Sequence, residues 1–522
     1  MKTSQYFFGV SCKKEKNLSK LETVLSEYLS DTFKIEICWI YFLETYSVDQ
    51  SNKEEIYKNL KSLLDLEDIN LSSQNFQCNE ENQNFIIVLP RQGTLSPWSS
   101  KAMDILGRCG FQSIKKIERG FFYKFLSKSG DSKISNLFTK KNNTTLNISD
   151  KKILSLFFDK MTEDIFINKF PKNFFNTKES GKLLEVNLMG SNGFENLKKA
   201  NLELGLALTS KELRKVFDYF VFLNRNPSDA ELMMYAQVNS EHCRHKIFNS
   251  DFTINSMAQD HSLFQMIKSS HNQTPEGTIV AYSDNAAIIT GEEVFNFQNF
   301  EPFSNKYEEK LDFMHTVFKA ETHNHPTAVS PFSGAATGVG GEIRDETATG
   351  IGGKSRAGFS GYTVSKLRFS EYQHQPNRQS SPLEIMINAP LGASYFNNEF
   401  GRPNILGYFR SHELSIDGKI WGYHKPIMLS GGVGVIRNSN IHKKKLSIGD
   451  IIIVLGGPTF KIGIGGGSAS SMNSGVNSEF LDFNSVQRGN PEIQRRTQEV
   501  INTCSAISQN PILSIHDVGA GG

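Results

Sequence analysis

Lys319–Asp345 reads KAETHNHPTAVSPFSGAATGVGGEIRD. The segment gathers a lysine, an arginine, three carboxylates, two histidines and a run of glycines. A structural loop has no use for that mixture, whereas a site for a charged, phosphate-bearing ligand does. The apolar run Thr316–Ala320 before it has strand length, and α/β proteins place functional groups at strand ends. His323 and His325 form an HxH pair, but no further His or Cys stands close enough in sequence to complete a zinc site. Glu321 with a distant aspartate suits magnesium, which takes one or two carboxylates plus water and phosphate oxygens. Over Gly334–Asp345 a glycine loop is expected, whose N–H groups can approach phosphate oxygens. Arg344 can fork onto a phosphate, and Asp345 can hold the metal that neutralises it. The run is neither a Walker A loop nor a dinucleotide fingerprint. A hydrogen-bonded turn at Glu321–Pro326 and a flexible loop after it are the plainer alternatives.

Four further stretches carry chemistry-bearing side chains. In Asn239–Lys246 (NSEHCRHK), His242 and His245 share a face if the helix continues. Crowded cations there should lower the histidine pKa values and leave a neutral imidazole available as a base. A polar helix end with solvated charges is the alternative. Gly463–Ser471 reads equally as a phosphate loop or as tight strand–helix packing. His516-Asp517 sets a carboxylate after the strand-like run Ile512–Ile515, and Gln487 offers an uncharged amide. His442–Lys445 reads as a solvated basic run.

The 522 residues carry 57 basic and 55 acidic side chains, so the chain lacks the overall field that would draw nucleic acid or an anionic membrane. No apolar window is long enough for a transmembrane helix, and Lys13 and Lys14 interrupt any signal-peptide core, so a cytosolic location is expected. The six cysteines are scattered without metal-ligand spacing and read as reduced thiols. Glycine is sparse before residue 200, with 9 residues against 32 after it. That shift suggests an α+β domain over 1–150 and a mostly helical linker over 151–229. A strand-and-loop α/β domain over 230–440 and the start of another over 447–522 follow. Strands are expected at Ile35–Phe42 and Phe85–Leu89, and helices at Thr23–Leu29, Glu54–Leu64 and Ser99–Cys109. Ser228 should cap a helix from Asp229 to about Asn239. Glu384–Ile387 reads as strand, and Ile451–Leu455 as a strand buried on both faces. The last residues stop inside a glycine loop, so a longer parent protein is expected.

The phrases GTLSPWSSKA, LNRNPSDAELMMYAQVNSEHCRHK, KAETHNHPTAVSPFSGAATGVGGEIRDE, FNNEFGRPNILGYF, GYHKPIMLSGGVG, LDFNSVQRGNPE and ILSIHDVGAGG follow in unbroken order over about residues 90–522. Together they resemble the phosphoribosylformylglycinamidine synthase family, the formylglycinamide ribonucleotide amidotransferases of purine synthesis, in the long single-chain form. The resemblance implies a multidomain α+β and α/β protein with an aminoimidazole ribonucleotide synthetase-like domain. It implies an ATP-dependent C–N ligase that makes formylglycinamidine ribonucleotide, ADP and phosphate from formylglycinamide ribonucleotide, ATP and glutamine-derived ammonia. A second synthase half and the glutaminase domain would be missing, so this piece alone is expected to be inactive. A small-molecule kinase of the same superfamily and a non-catalytic ATP-binding fragment are the alternatives. By resemblance His242 is the catalytic histidine and His323 a second acid/base. His245 and Lys319 would contact nucleotide, with the run Gly334, Ala335, Ala336, Thr337, Gly338, Val339, Gly340, Gly341, Glu342, Ile343, Arg344 and Asp345. Thr322, His323, Asn324, His325, Arg344 and Gln487 would contact substrate, and Glu321, Asp345 and Asp517 would hold Mg2+.

Overall fold

In the computed structural model the chain divides into two compact units, Met1–Gly181 and Lys182–Gly522. In the first unit the structure describes residues 3–12, 22–23, 33–46, 58–61, 63–64 and 85–127 except 93 and 95, then scattered positions to 175. In the second it describes 182–519 except 302–303, 305, 369–378, 458–462 and 473–478.

The first unit is built on an antiparallel sheet of β1 (Thr3–Cys12), β2 (Phe33–Tyr46), β3 (Phe85–Pro90), β4 (Ile114–Ser127) and β5 (Glu163–Ile167), ordered β1-β2-β4-β3-β5. Helix α1 (Pro97–Arg108) starts where Ser96 Oγ accepts from the Ser99 amide and Pro97 supplies the first helical residue. Leu106 of α1 packs with Tyr41, Leu43 and Ile117 of the sheet. A second cluster joins Cys38, Ile40, Phe42, Ile87 and Leu89. Strand β5 lies inside the stretch expected to be a helical linker, because its backbone completes the sheet edge beside β3. The helix expected at Thr23–Leu29 and the polar break at 173–180 fall almost wholly outside the described residues.

The second unit opens with α2 (Gly193–Glu203), α3 (Ser210–Phe222), α4 (Asp229–Val238) and the short α5 (Glu241–Arg244). Capping boxes start α3 at Thr209/Glu212 and α4 at Ser228/Glu231, the latter at the cap expected from sequence. Leu197, Leu213, Val216 and Leu232 bury their side chains among these helices. After α6 (Leu263–Gln273) come β8 (Thr278–Val280), β9 (Ala287–Gln298), β10 (Glu308–Thr322), α7 (Asn324–Val329), α8 (Pro331–Thr347), β11 (Lys354–Val364), α9 (Pro382–Glu399), β12 (Asn404–Ser411) and β15 (Ile427–Arg437). The small hairpins β6 (Thr253–Ile254)/β7 (Met257–Ala258) and β13 (Glu413–Ile416)/β14 (Lys419–Gly422) stand apart from the main sheet. That sheet runs β12-β11-β15-β10-β9-β8, antiparallel at every pairing except β11–β12. The one parallel pair is joined through α9, the crossover such a pair requires. Ala336, Val339 and Ile343 of α8 meet Ile385, Ala389 and Phe396 of α9 over Tyr362, Val364 and Met428.

Several expectations are corrected here. Gly334–Asp345 is not a loop but the body of α8. Glycine costs about 1 kcal/mol against alanine in a helix, so these glycines need a reason, and close packing supplies one. A Cβ on Gly334 would come within 2.4 Å of the Pro326 carbonyl carbon, where α7 crosses. Glu384–Ile387 lies in α9, opened by the Ser381 cap and Pro382. Ile451–Leu455 forms no strand; Ile451 to Val454 are 72–92 % exposed. Ile512–Ile515 is irregular as well. No helix among the described residues is long and apolar enough to cross a membrane. Helices α10 (Gly466–Ser471), α11 (Glu479–Ser485) and α12 (Pro491–Ala506) complete the described chain.

Candidate active site

The site lies where the C-terminal end of β10 meets α8. Residues alternate across a strand, so Lys319 and Glu321 lie on the face where Val317 is buried. The Lys319 ammonium sits 2.6 Å from Asp345 Oδ2 and 3.9 Å from Glu321 Oε2. Arg344, next on α8, reaches Asp517 Oδ2 at 3.4 Å and Gln494 of α12 at 3.0 Å. Gly341 makes room for the carboxylate beside it, since a Cβ there would stand 2.7 Å from Glu321 Oε1. Three carboxylates therefore crowd around two cations. Burial, with Asp345 and Asp517 adding to it and Lys319 and Arg344 opposing, pushes Glu321 up to about 7. Burial and Asp345 also raise Asp517.

Whether these groups suit a metal can be judged from their chemistry. The donors are all hard carboxylate oxygens, and three carboxylates face two cations. That fits magnesium, which uses one or two carboxylates and completes its shell with water and phosphate. Among the described residues no three His, Cys, Asp or Glu side chains converge tightly enough to hold an ion by themselves.

His323 follows at the start of α7. Its Nδ1–H donates to the Gly334 carbonyl at 2.6 Å, which leaves the Nε2 lone pair available. Burial holds it down at about 4, with His242 and Arg344 adding to the effect against that hydrogen bond. His242 is exposed on α5, within electrostatic reach of Lys319, Asp345 and His323. Desolvation by the protein around it, then His245 and Lys319, lowers its pKa despite Asp345. The structure places α5 by long-range bonds. The Gln237 amide and Ser468 of α10 exchange hydrogen bonds at 3.3 Å, and Ser471 Oγ accepts from the Glu241 amide at 3.0 Å. The Gly463–Ser471 segment thus packs a helix against a helix, and its Ser468 amide is spent on Gln237. The α5 helix does not continue to His245, which turns left-handed at φ 50° and stacks on Phe264 at 5.8 Å.

Most other residues of the expected ligand set are buried. Gly334, Ala335, Ala336, Thr337, Gly338, Val339, Gly340, Glu342 and Ile343 are buried inside the packing of α8, leaving Gly341, Arg344 and Asp345 of that run on the site side. Glu342 is fully buried against Arg402 at 2.6 Å. His325 is buried as well, 3.3 Å from Ser485 Oγ and 3.9 Å from Asp482. Asn324 Oδ1 accepts from the Met428 amide and so ties α7 to β15, while Thr322 is exposed. Gln487 packs against Gly463; two residues on, Gly489 lies on Thr337 of α8.

Sequence reading missed Asn285, Asp284, Lys443 and Gln494. Gln494 bridges Arg344 to the Gly340 carbonyl. Lys443, expected to be solvated, is paired with Asp284 at 2.7 Å. No local pattern marks any of these, since each acts on residues far away in sequence.

Comparison with known proteins gives three matches along the chain. The N-terminal domain of formylglycinamide ribonucleotide amidotransferase matches residues 38–173, and the linker domain of the same family matches residues 197–246. Over these two stretches the chain is similar to that amidotransferase family. Residues 447–522 match the C-terminal domain of AIR synthase related proteins. Thermotoga maritima PurL complexed with FGAR is 25 % identical, covering 55 % of this chain and 36 % of that one, with a TM-score of 0.36. The same protein complexed with ATP gives 23 % identity, 55 % and 35 % coverage and a TM-score of 0.33. The chain spans about a third of the length of those solved structures.

Proposed function

We propose that this chain binds ATP and formylglycinamide ribonucleotide as part of an ATP-dependent ligase of purine synthesis. The two successive amidotransferase-family domains carry the reading. The half-buried cluster of Lys319, Glu321, Arg344, Asp345 and Asp517 supports it, because this is where phosphate and metal chemistry has its donors. In the reaction the substrate amide oxygen attacks the γ-phosphorus and ADP leaves. Ammonia then adds to the activated carbon, phosphate departs and a proton is lost from nitrogen. Magnesium, when bound by Asp345 with Asp517 or Glu321, would supply charge neutralisation for the phosphates. Lys319 and Arg344 are the cations that can follow negative charge onto phosphate oxygens. His242, kept neutral, is the base suited to take the proton, and His323 presents a second neutral nitrogen. Ammonia would come from a glutaminase activity.

The test is titration calorimetry of the chain with formylglycinamide ribonucleotide and, separately, with AMPPCP in the presence of Mg2+. Both ligands are expected to bind, and Lys319→Met and Asp345→Asn to weaken AMPPCP at least about tenfold. Failure of wild type to bind either ligand overturns the reading.

A further inference from the structure

Asp345 and Asp517 arrive from distant parts of the chain, and their carboxylates repel one another. Lys319 pairs with Asp345 and Arg344 with Asp517, so each of these cations takes one carboxylate. Asn285, which precedes β9, donates from Nδ2 to Asp345 Oδ1 at 2.9 Å and to Asp517 Oδ1 at 2.9 Å. Both amide hydrogens are thereby used. Its Oδ1 accepts from the Lys443 ammonium at 3.1 Å. Lys443 is fixed in turn by Asp284 Oδ1 at 2.7 Å, and Asp284 Oδ2 accepts from the Gly350 amide at 2.9 Å. The flipped amide would set an oxygen against two carboxylates and an NH2 against an ammonium, so Lys443 permits only one orientation.

We propose that Asn285 is the positioning residue of the Asp345–Asp517 carboxylate pair and that Lys443 fixes its orientation. An amide suits the task for a physical reason. It satisfies one oxygen of each aspartate without adding charge, so the pair keeps its attraction for a cation. The other oxygens, Asp345 Oδ2 and Asp517 Oδ2, point to Lys319 and Arg344, on the ligand side. A lysine at 285 would add a positive charge beside the pair and weaken that attraction. The inference rests on the reading of this pair as a divalent-cation site.

The experiment is Mn2+ binding to the full chain, followed by the loss of the free-ion electron paramagnetic resonance signal. Wild type is expected to bind, and Asp517→Asn to bind much more weakly. Asn285→Ala should lose about 10–100-fold in Mn2+ affinity, the usual effect of removing a partner behind a ligand. Lys443→Met should shift affinity in the same direction by less, and Lys443→Arg should restore it. The thermal midpoints of the Lys443 variants should stay near wild type, so they decide the matter if Asn285→Ala does not fold. Asn285→Ala within twofold of wild type, with Asp517→Asn weakened, overturns the positioning role and leaves the cation site standing. Lys443→Met matching wild type overturns the orienting role. Wild type and Asp517→Asn both failing to take up Mn2+ overturns the cation site and this inference together.

Discussion

His323 and His325 stand two residues apart and are both held neutral, yet they differ in what they can reach. His323 shares the site with His242 and Arg344, whereas His325 is shut away with Ser485 and Asp482. Burial, aided by Lys425, pushes His325 down to about 4. A histidine lowered in the fold stabilises above its unfolded value near 6.5, and that stability drains away as pH falls toward about 4. Glu321 works in the opposite sense. Raised to about 7, it favours the fold below about 4.5 and loses that contribution as pH climbs through about 7. Both changes run across about pH 4.5–6.5 with opposite slopes and so offset one another in wild type. Chemical denaturation over that range should separate them: Glu321→Gln should steepen the rise of stability with pH, and His325→Asn should flatten it. Each proton accounts for at most about 1.4 kcal/mol per pH unit. His242→Ala tests the base proposed above. Amidine formation in the assembled enzyme should fall by about 10²–10⁴, with AMPPCP binding by the chain unchanged. The position of both histidines just past a strand end was legible in the sequence. Their division into site and core was not, because it depends on α11, far along the chain.

At the scale of elements, α8 decides most of the site. Its outer side carries Gly341, Arg344 and Asp345, and its inner side carries Glu342 and Glu346. Arg402 lies buried against both, 2.6 Å from Glu342 and 3.6 Å from Glu346. Burial and the neighbouring Glu346 raise Glu342 well above the ordinary carboxylate range, against the pull of Arg402. The guanidinium occupies space that only a glycine on β15 leaves, because a Cβ at Gly432 would overlap it. Gly432→Ala should therefore push Arg402 off its partners and strand buried carboxylates. Urea unfolding should show a loss of about 3–5 kcal/mol. Adding Glu342→Gln should recover part of it. Reading α8 as a loop was an error of kind rather than of place. Dense glycine marks both turns and close packing, and only the partners at Pro326, Phe396 and Glu321 tell the two apart. Glu384–Ile387 was readable as helix from Ser381-Pro382, a cap and first-turn pair that outweighs four apolar residues.

Across the whole molecule, the site draws on residues that local patterns cannot connect. Asn285 bonds to residues 60 and 232 positions away, and Arg344 to one 173 positions away. The fold class was visible in composition, as were β2, β3 and the end of β10 in their apolar runs, whereas β1, β4 and β5 were not. The long-range amides were not, since one asparagine in a polar turn looks like any other. The misjudged run Ile451–Leu455 has its own consequence. Its exposed apolar residues form no ladder among the described residues, so its amides should swap their protons for deuterium within seconds. Those of Ser430–Gly434, paired on both sides by β10 and β11, should wait for global opening. Mass spectrometry after brief exposure to heavy water should find the two peptides at opposite ends of the range. The fast one then serves as a built-in reporter, falling silent only when another strand comes to lie beside it.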